Sequence, residues 1–343
     1  MAMDGEEIWG QDVQPLFTYN GKFSFNGIDH HRTDPTFATA SNCVQIWDES
    51  KSAPVSTLRF GESQETVTSV KFNQSETSVL ASVGTDRTMA LYDIRTGKAE
   101  RRVRMAVSPG CLLAFALSAY QSADQLTLAL TAYAMQMKSN SLAWCPTLPT
   151  VLLLASEDHN LYTFDVRNLS SPTQIYKDHV AAVMNCDWSP TGEEFVSASW
   201  DRTIRIWNRT EGKSRDVYHT KRMQRVMDVA YTPTSTFVMS ASDDGNIRLW
   251  KSKASASLGI IDSRARASQE YRAKLTEKWG KTDMVRRIEK RRHLPSSIHN
   301  ATGLKRTMID ARKAKEDNRR AHTKAGKERP KAERKKVMLG EDA

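Results

Sequence analysis

The segment SASWDRTIRIWN at residues 197–208 returns as SASDDGNIRLWK at residues 240–251, 43 positions later and identical at seven of twelve places. A fixed interval constrains a chain more than any single motif, because each copy must fold as the same unit and stack on the next. Each copy alternates small and polar residues, turns at an Asp, and alternates again up to a Trp. That pattern predicts a hairpin of two short strands with side chains on alternate faces. Working outward from the terminal aromatic extends the series. SNCVQIWD carries Trp47, GTDRTMALYD carries Tyr92 and SEDHNLYTFD carries Phe164; with Trp207 and Trp250 the intervals are 45, 72, 43 and 43.

A period of about 40–45 residues closing on an aromatic and Asp is the signature of the WD repeat, in which four strands make one blade of a β-propeller. Residues 1–251 are therefore predicted to be an all-β WD-repeat propeller, with five blades visible. The opening EEIWGQDVQPLF reads as the end of another blade, with Trp9 as a degenerate anchor. N-terminal blades of a ring of roughly seven are expected to be missing, since an open propeller leaves unpaired strand edges.

The fourth blade is the most complete, with His179 in the loop before it, Ser199 on a strand, Asp201 in the turn and Trp207 at the next strand's end. Ser, His and Asp together invite a hydrolase reading. No G-x-S-x-G elbow exposes the serine, so His179, Ser199, Asp201 and Trp207 are predicted to be a structural tetrad whose members satisfy one another's hydrogen bonds. Ser156 with Asp158, Ser242 with Asp244, and Asp86 repeat the turn position. His30, His31 and Asp34 in DHHRTD have metal-ligand chemistry, yet they lie in a loop between strands and no metal is expected there. No catalytic residue and no cofactor are predicted.

The interval of 72 exceeds the period by about 29 residues. The surplus falls at 103–136, a stretch whose only charges are Arg104 and Asp124 and which holds a 19-residue charge-free run from Met105 to Ala123. That run nears the length of a membrane span, but Pro109 and Gly110 interrupt it and flanking anchors are absent, so no membrane contact is expected. Val103 is encodable by GT plus one base and Gln136 by CAG, the letters of an intron's ends. Deleting about 30 residues restores the period, so 103–136 is read as an anomalous insertion, a translated intron.

Charge divides the chain in two. From Asp262 to Ala343 there are 25 Lys and Arg against 12 Asp and Glu, a net of +13, whereas the whole chain carries only +10. A near-neutral body thus bears a basic extension, predicted over 252–343, and such an extension points to nucleic acid or another acidic surface. Tyr271, Leu275 and Trp279 fall on one helical stripe. A second helix runs through TDMVRRIEKRRHLP, with Thr282 or Asp283 as its cap and Pro295 as its stop. A third, Thr302 to His322, sets Leu304, Met308 and Ala311 on one side. Cations on its other faces and in the disordered end, Lys305, Arg306, Arg312, Lys313, Arg319, Arg320, Arg334, Lys335 and Lys336, are predicted to track RNA phosphates, whose affinity comes from counterion release. No RRM or KH pattern indicates base reading. Four scattered cysteines without a CxxC pair fit a reducing compartment, and the acidic N-terminus has no apolar signal-peptide core.

SEDHNLYTFDVR (156–167), FNGIDHHR (25–32), RIEKRRHLP (287–295) and NRRAHTKAG (318–326) make the chain resemble the suppressor-of-fibrillarin (Sof-type) WD-repeat proteins of the nucleolus. The tail motifs are the specific ones; the likeness excludes 104–135 and the family's N-terminal blades. It implies a scaffold of the small-subunit processome in the nucleus and nucleolus. Its partners would be pre-rRNA, small nucleolar RNP proteins and other processome proteins, without a small-molecule substrate. A second reading comes from LYDIR (91–95) and TFDVR (163–167). Both look like the box by which WD-repeat substrate receptors dock on the adaptor of the cullin-4 RING ubiquitin ligase, with Asp93, Arg95, Asp165 and Arg167 as its charges. The alternative is an ordinary surface ion pair of small worth.

Overall fold

The computed structural model describes residues 18–58, 66–95, 98–105, 138–257, 259–289, 293–324 and 332–342. Its first part is a run of antiparallel sheets. The first holds β1 (Gly27–His30), β2 (Thr36–Ala40), β3 (Val44–Asp48) and β4 (Ser56–Leu58). The second holds β5 (Val67–Phe72), β6 (Val79–Gly84), β7 (Thr88–Asp93) and β8 (Lys98–Met105). The third holds β9 (Ser139–Trp144), β10 (Val151–Ser156), β11 (Leu161–Asp165) and β12 (Gln174–Tyr176). The fourth holds β13 (Val183–Trp188), β14 (Glu194–Ser199), β15 (Ile204–Asn208) and β16 (Ser214–Tyr218). The fifth holds β17 (Val226–Tyr231), β18 (Phe237–Ser242) and β19 (Ile247–Lys251). The first strands of successive sheets, β1, β5, β9, β13 and β17, lie side by side, so each sheet packs its face on the next as propeller blades do.

The sequence period becomes a register. Phe37 faces Trp47, Leu80 faces Tyr92, Leu152 faces Phe164, Phe195 faces Trp207 and Val238 faces Trp250. Because side chains alternate, the neighbours of these pairs point the other way, toward the following sheet. Val196, Ala198, Ile204 and Ile206 leave the fourth sheet on that side and meet Val226, Val229, Tyr231 and Val238 of the fifth. Ala38, Ala40, Val44 and Ile46 do the same from the first sheet, and Ala81, Val83, Met89 and Leu91 from the second. The core is thus a series of layers between sheets.

The turn between the second and third strands repeats as well. Asp86, Asp158, Asp201 and Asp244 each accept, through Oδ1, the amide of the residue two positions on, at 3.0, 3.1, 2.9 and 3.4 Å. The residue between them is left-handed every time: Arg87 (φ 63°), His159 (72°), Arg202 (65°) and Gly245 (74°). Glycine adopts that conformation freely; the others take it at a cost that the carboxylate bond offsets.

In the fourth sheet, His179 Nδ1 lies 2.8 Å from Asp201 Oδ2 and its Nε2 2.7 Å from Ser197 Oγ, which also accepts from Trp207 Nε1 at 2.8 Å. The tetrad serine is therefore Ser197, not the predicted Ser199. Both lie on one face of β14 because they are two residues apart, but only Ser197 is level with the Trp207 ring. Ser199 donates instead to the Ala182 carbonyl at 2.9 Å. His179, Ser197 and Ser199 are fully buried, and their bonds tie the loop before β13 to β14 and the turn that follows it. Burial pushes the His179 pKa down, and although burial itself opposes ionisation of Asp201, the adjacent His179 holds that carboxyl well below the usual range.

His31, read above as having metal-ligand chemistry, is committed to backbone: Nε2 pairs with the Thr77 carbonyl at 2.9 Å and Nδ1 accepts the Asp34 amide at 3.0 Å. His30 Nε2 pairs with Glu49 at 2.7 Å. Among the described residues no three His, Cys, Asp or Glu come together as a metal site, and no helix is long and apolar enough to cross a membrane. Cys43, Cys145 and Cys186 are buried free thiols. Of the predicted insertion, 103–105 end β8 as ordinary strand, and 106–136 lie outside the described residues.

Beyond the sheets come α1 (Ser263–Trp279), α2 (Asp283–Glu289) and α3 (Ser296–His322), then a 3-10 turn at Glu333–Lys336 and β20 (Met338–Asp342). Two expectations change here. Pro295, expected only as the stop of the second helix, stands at the N-cap of α3, where its missing N–H costs nothing. The C-terminal end, expected to be disordered, pairs β20 antiparallel with β8 and buries Val337 against the second and third sheets. The exposed outer edge of β8 supplies the partner that a free peptide lacks.

Candidate functional site

Two ends of the strands carry two different chemistries. The turns holding Asp158 and Asp201 lie at one end of the sheets; the turns that follow Asp93 and Asp165 lie at the other, because β7 and β11 run from the first end to the second.

At the first end α3 lies against the sheets. Lys305 Nζ donates to the His179 carbonyl at 2.8 Å, and Ile298 is buried beneath the helix. Burial lowers the Lys305 pKa, while Asp158 nearby favours the charged form. Lys177, at the end of β12, pairs with Glu333 of the 3-10 turn. Lys336 Nζ reaches Glu316 of α3 at 3.2 Å. The His219 and His293 rings stack at 5.5 Å, joining the loop after β16 to the segment before α3.

This docking sorts the cations predicted to meet phosphate. Lys305 is spent on the sheet, Lys336 on Glu316, and Arg320 on Asp317 at 2.9 Å and on Glu316. Arg306, Lys313, Arg334 and Lys335 stand exposed, as does Arg319, and Arg312 is half-buried. The stripe of α1 is exposed: Tyr271, Leu275 and Trp279 are 65, 39 and 50 % exposed, with Lys278 Nζ 5.4 Å from the Trp279 ring centroid. Leu304 and Met308 also face outward, so the side of α3 that looked apolar is not its docking side.

The periodic pattern gave no sign of Trp200. It is exposed, with the Arg225 guanidinium 4.8 Å from its ring centroid. Its only sequence signal is that the corresponding turns carry Thr85, Glu157 and Asp243.

At the second end the two Asp-x-Arg segments adopt one geometry. Asp93 Oδ1 accepts the Arg95 amide at 2.9 Å and Asp165 Oδ1 the Arg167 amide at 3.0 Å. Each Asp closes its turn and so aims its Arg outward. Arg95 Nε lies 3.6 Å from Asp93, with the side chain 79 % exposed, and Arg167 is exposed on the neighbouring sheet. The turns after β3, β15 and β19 read Asp48-Glu49-Ser50, Asn208-Arg209-Thr210 and Lys251-Ser252-Lys253, and present no such pair.

Comparison with known proteins adds sequence kinship to this geometry. The family model of the Sof1-like domain matches residues 252–338, and that of the WD domain, G-beta repeat, matches 170–208 and 214–251. The chain is 40 % identical over 331 residues to DDB1- and CUL4-associated factor 13 of Xenopus tropicalis, covering 96 % of this chain and 67 % of the relative. It is 42 % identical over 337 residues to the Mus musculus protein of the same name, covering 98 and 68 %. It is 38 % identical over 324 residues to Protein SOF1 of Saccharomyces cerevisiae, covering 94 % of this chain and 59 % of that one.

Proposed function

The chain belongs to the Sof1-like family of WD-repeat proteins, and from that premise we propose that it is a non-catalytic scaffold of the small-subunit processome, acting in pre-rRNA processing in the nucleolus. The observation that carries this reading is the tail. The family-type segment 252–338 folds back on one end of the sheets through Lys305, Ile298 and Lys177–Glu333, yet leaves Arg306, Lys313, Arg334 and Lys335 facing solvent. Lys305 and Lys336 help fix the tail in place, while Arg306, Lys313, Arg334 and Lys335 are exposed where phosphate could reach them. Small nucleolar RNP proteins and other processome proteins are the partners the reading assigns, with the stripe of Tyr271, Leu275 and Trp279 as a packing face for protein.

The finer reading of the fold belongs with this. Met239, Ile247 and Leu249 of the fifth sheet are 39, 79 and 62 % exposed at positions that are buried in the fourth. We propose that further blades of the same type cover this face and close a ring of roughly seven. The segment 103–136 is proposed to be translated intron, which sequencing of the spliced message decides.

The test of the main reading is depletion. Loss of the protein should accumulate early, uncut pre-rRNA and lower the ratio of small to large subunits; a normal ratio after full depletion rejects the reading. RNA binding by the full chain should be indifferent to sequence and fall about a thousandfold between 50 and 200 mM salt if about six phosphates are neutralised.

A second reading rests on the exposed Arg95 and Arg167, and on relatives whose name associates them with DDB1 and CUL4. In it the protein is a substrate receptor of a cullin-4 RING ligase. Arg95→Glu with Arg167→Glu should then abolish adaptor co-precipitation while RNA binding, at the other end of the strands, persists. Retained adaptor binding returns both arginines to ordinary surface residues.

A further inference from the structure

We infer that Trp200 and Arg225 form a stacking site for an unpaired base of single-stranded RNA. The inference rests on the RNA-contact reading above and names a site on the sheets that the basic tail does not contain.

Three segments build the site. The turn after β14 holds Trp200 and Arg202, the loop before β17 holds Lys221, Arg222 and Arg225, and the turn after β18 supports that loop, with the Asp243 amide donating to the Arg225 carbonyl at 2.9 Å. Trp200 is anchored from below: its own amide donates to the Ala182 carbonyl at 3.0 Å, and Asp201 beside it is locked to His179. The backbone under the ring is therefore rigid while the ring itself is 38 % exposed. Arg225 lies over the ring with its guanidinium carbon 4.8 Å from the centroid, which brings indole and guanidinium together at one surface. Arg202, Lys221 and Arg222 are exposed around it. Of the carboxylates in these segments, Asp201 and Asp244 are committed to His179 and Arg248, and Asp243 is exposed.

A planar surface ringed by cations suits a nucleotide that offers a π-face and a phosphate together. Aromatic rings and arginine planes are what splayed, single-stranded bases stack on, whereas a duplex keeps its bases inside and offers only phosphate. An acidic peptide would use the cations but would leave the indole unused. The site also lies where the tail arrives: the loop 179–182 that receives the Trp200 amide at Ala182 receives Lys305 of α3 at His179. A strand tracked along the tail's phosphate contacts would reach this site without leaving the same end of the sheets.

The experiment uses the full chain with two labelled probes, a short oligouridylate and a blunt RNA duplex, read by anisotropy. Trp200→Ala should weaken the oligouridylate by roughly five- to a hundredfold and leave the duplex within twofold. Trp200→Phe, which keeps a ring, should recover most of the loss and also exclude misfolding as the cause. Arg225→Gln should weaken the single strand and lower its salt slope by about one. Replacing Arg306, Lys313 and Lys335 by Ala should weaken both probes alike. Single-strand affinity unchanged by Trp200→Ala, or an equal loss on the duplex, overturns the stacking site while leaving tail binding intact. Tight binding of polyglutamate that is lost in Trp200→Ala would assign the patch to an acidic protein and likewise overturn it. Failure of the unaltered chain to bind either RNA overturns the RNA-contact reading itself.

Discussion

The fourth and fifth sheets are written in nearly the same words, yet they end in different physical states. In the fourth, Val196, Ala198, Ile204 and Ile206 are fully buried under the fifth sheet. In the fifth, the residues 43 positions on, Met239, Ala241, Ile247 and Leu249, have no sheet on that side among the described residues. The fourth sheet locks its turn with His179, Asp201, Ser197 and Trp207. The fifth keeps the Trp250 bond to Ser240 at 2.8 Å, but has Arg222 where His179 would be and pairs Asp244 with Arg248 of its own strand. Repetition in sequence therefore specifies the hairpin, while the degree of burial depends on whatever stands beside it.

The comparison can be broken most directly at His179. Its replacement by Ala removes the buried bonds to Asp201 Oδ2 and Ser197 Oγ and should cost about 3–5 kcal/mol in urea unfolding. A loss below about 1 kcal/mol would mean that water fills the site and that the tetrad is not what distinguishes the fourth sheet. Next in size is the paired truncation. Ile206→Ala removes buried methyl groups and should cost about 2–5 kcal/mol, whereas Leu249→Ala should cost less than about 1 kcal/mol in the isolated chain. An equal loss at Leu249 would show that its face is covered in solution.

Acid sharpens the same contrast. Burial depresses the His179 pKa below its ordinary 6.5, so the unfolded chain takes up a proton that the folded chain refuses. The stability this site contributes should be complete above about pH 6.5 and fall as the pH drops below it. Asp201, held below its ordinary 3.8, adds a second loss under that pH. A stability profile of His179→Gln should lack the first phase; an unchanged profile would place the sensitive group elsewhere. The smallest effect tests the turn. Gly245→Arg gives the fifth sheet the left-handed residue of the fourth, in open space, and should cost roughly 1 kcal/mol from backbone strain alone.

Much of the fold was legible because strands and turns answer to local rules. The alternation before Trp47, Tyr92, Phe164, Trp207 and Trp250 reports side-chain direction, and an Asp two or three residues before a strand reports a carboxylate that can close a turn on its own backbone. The outward arginines were legible too, since Asp-x-Arg closes its turn through the same short-range bond. The site at the other end of the strands was not. Lys305 and Arg306 are adjacent and alike in sequence, yet one is spent on a carbonyl 126 residues away and the other faces solvent. Trp200 was silent because its partner Arg225 comes from the next sheet.

By itself, then, the sequence determined the repeating hairpin, the Asp-closed turns and the split between a near-neutral body and a basic tail. Those properties depend on spacing and composition, which survive any arrangement of the pieces. Only the tertiary structure decided that Ser197 rather than Ser199 completes the tetrad, that β20 lies on β8, and that Lys305 and Lys336 belong to the protein rather than to its ligand. Each of these choices is made by a partner tens of residues away. Hydrogen bonds and buried surface are won between groups that the chain has brought together, and their distance along the sequence is not written in the residues themselves.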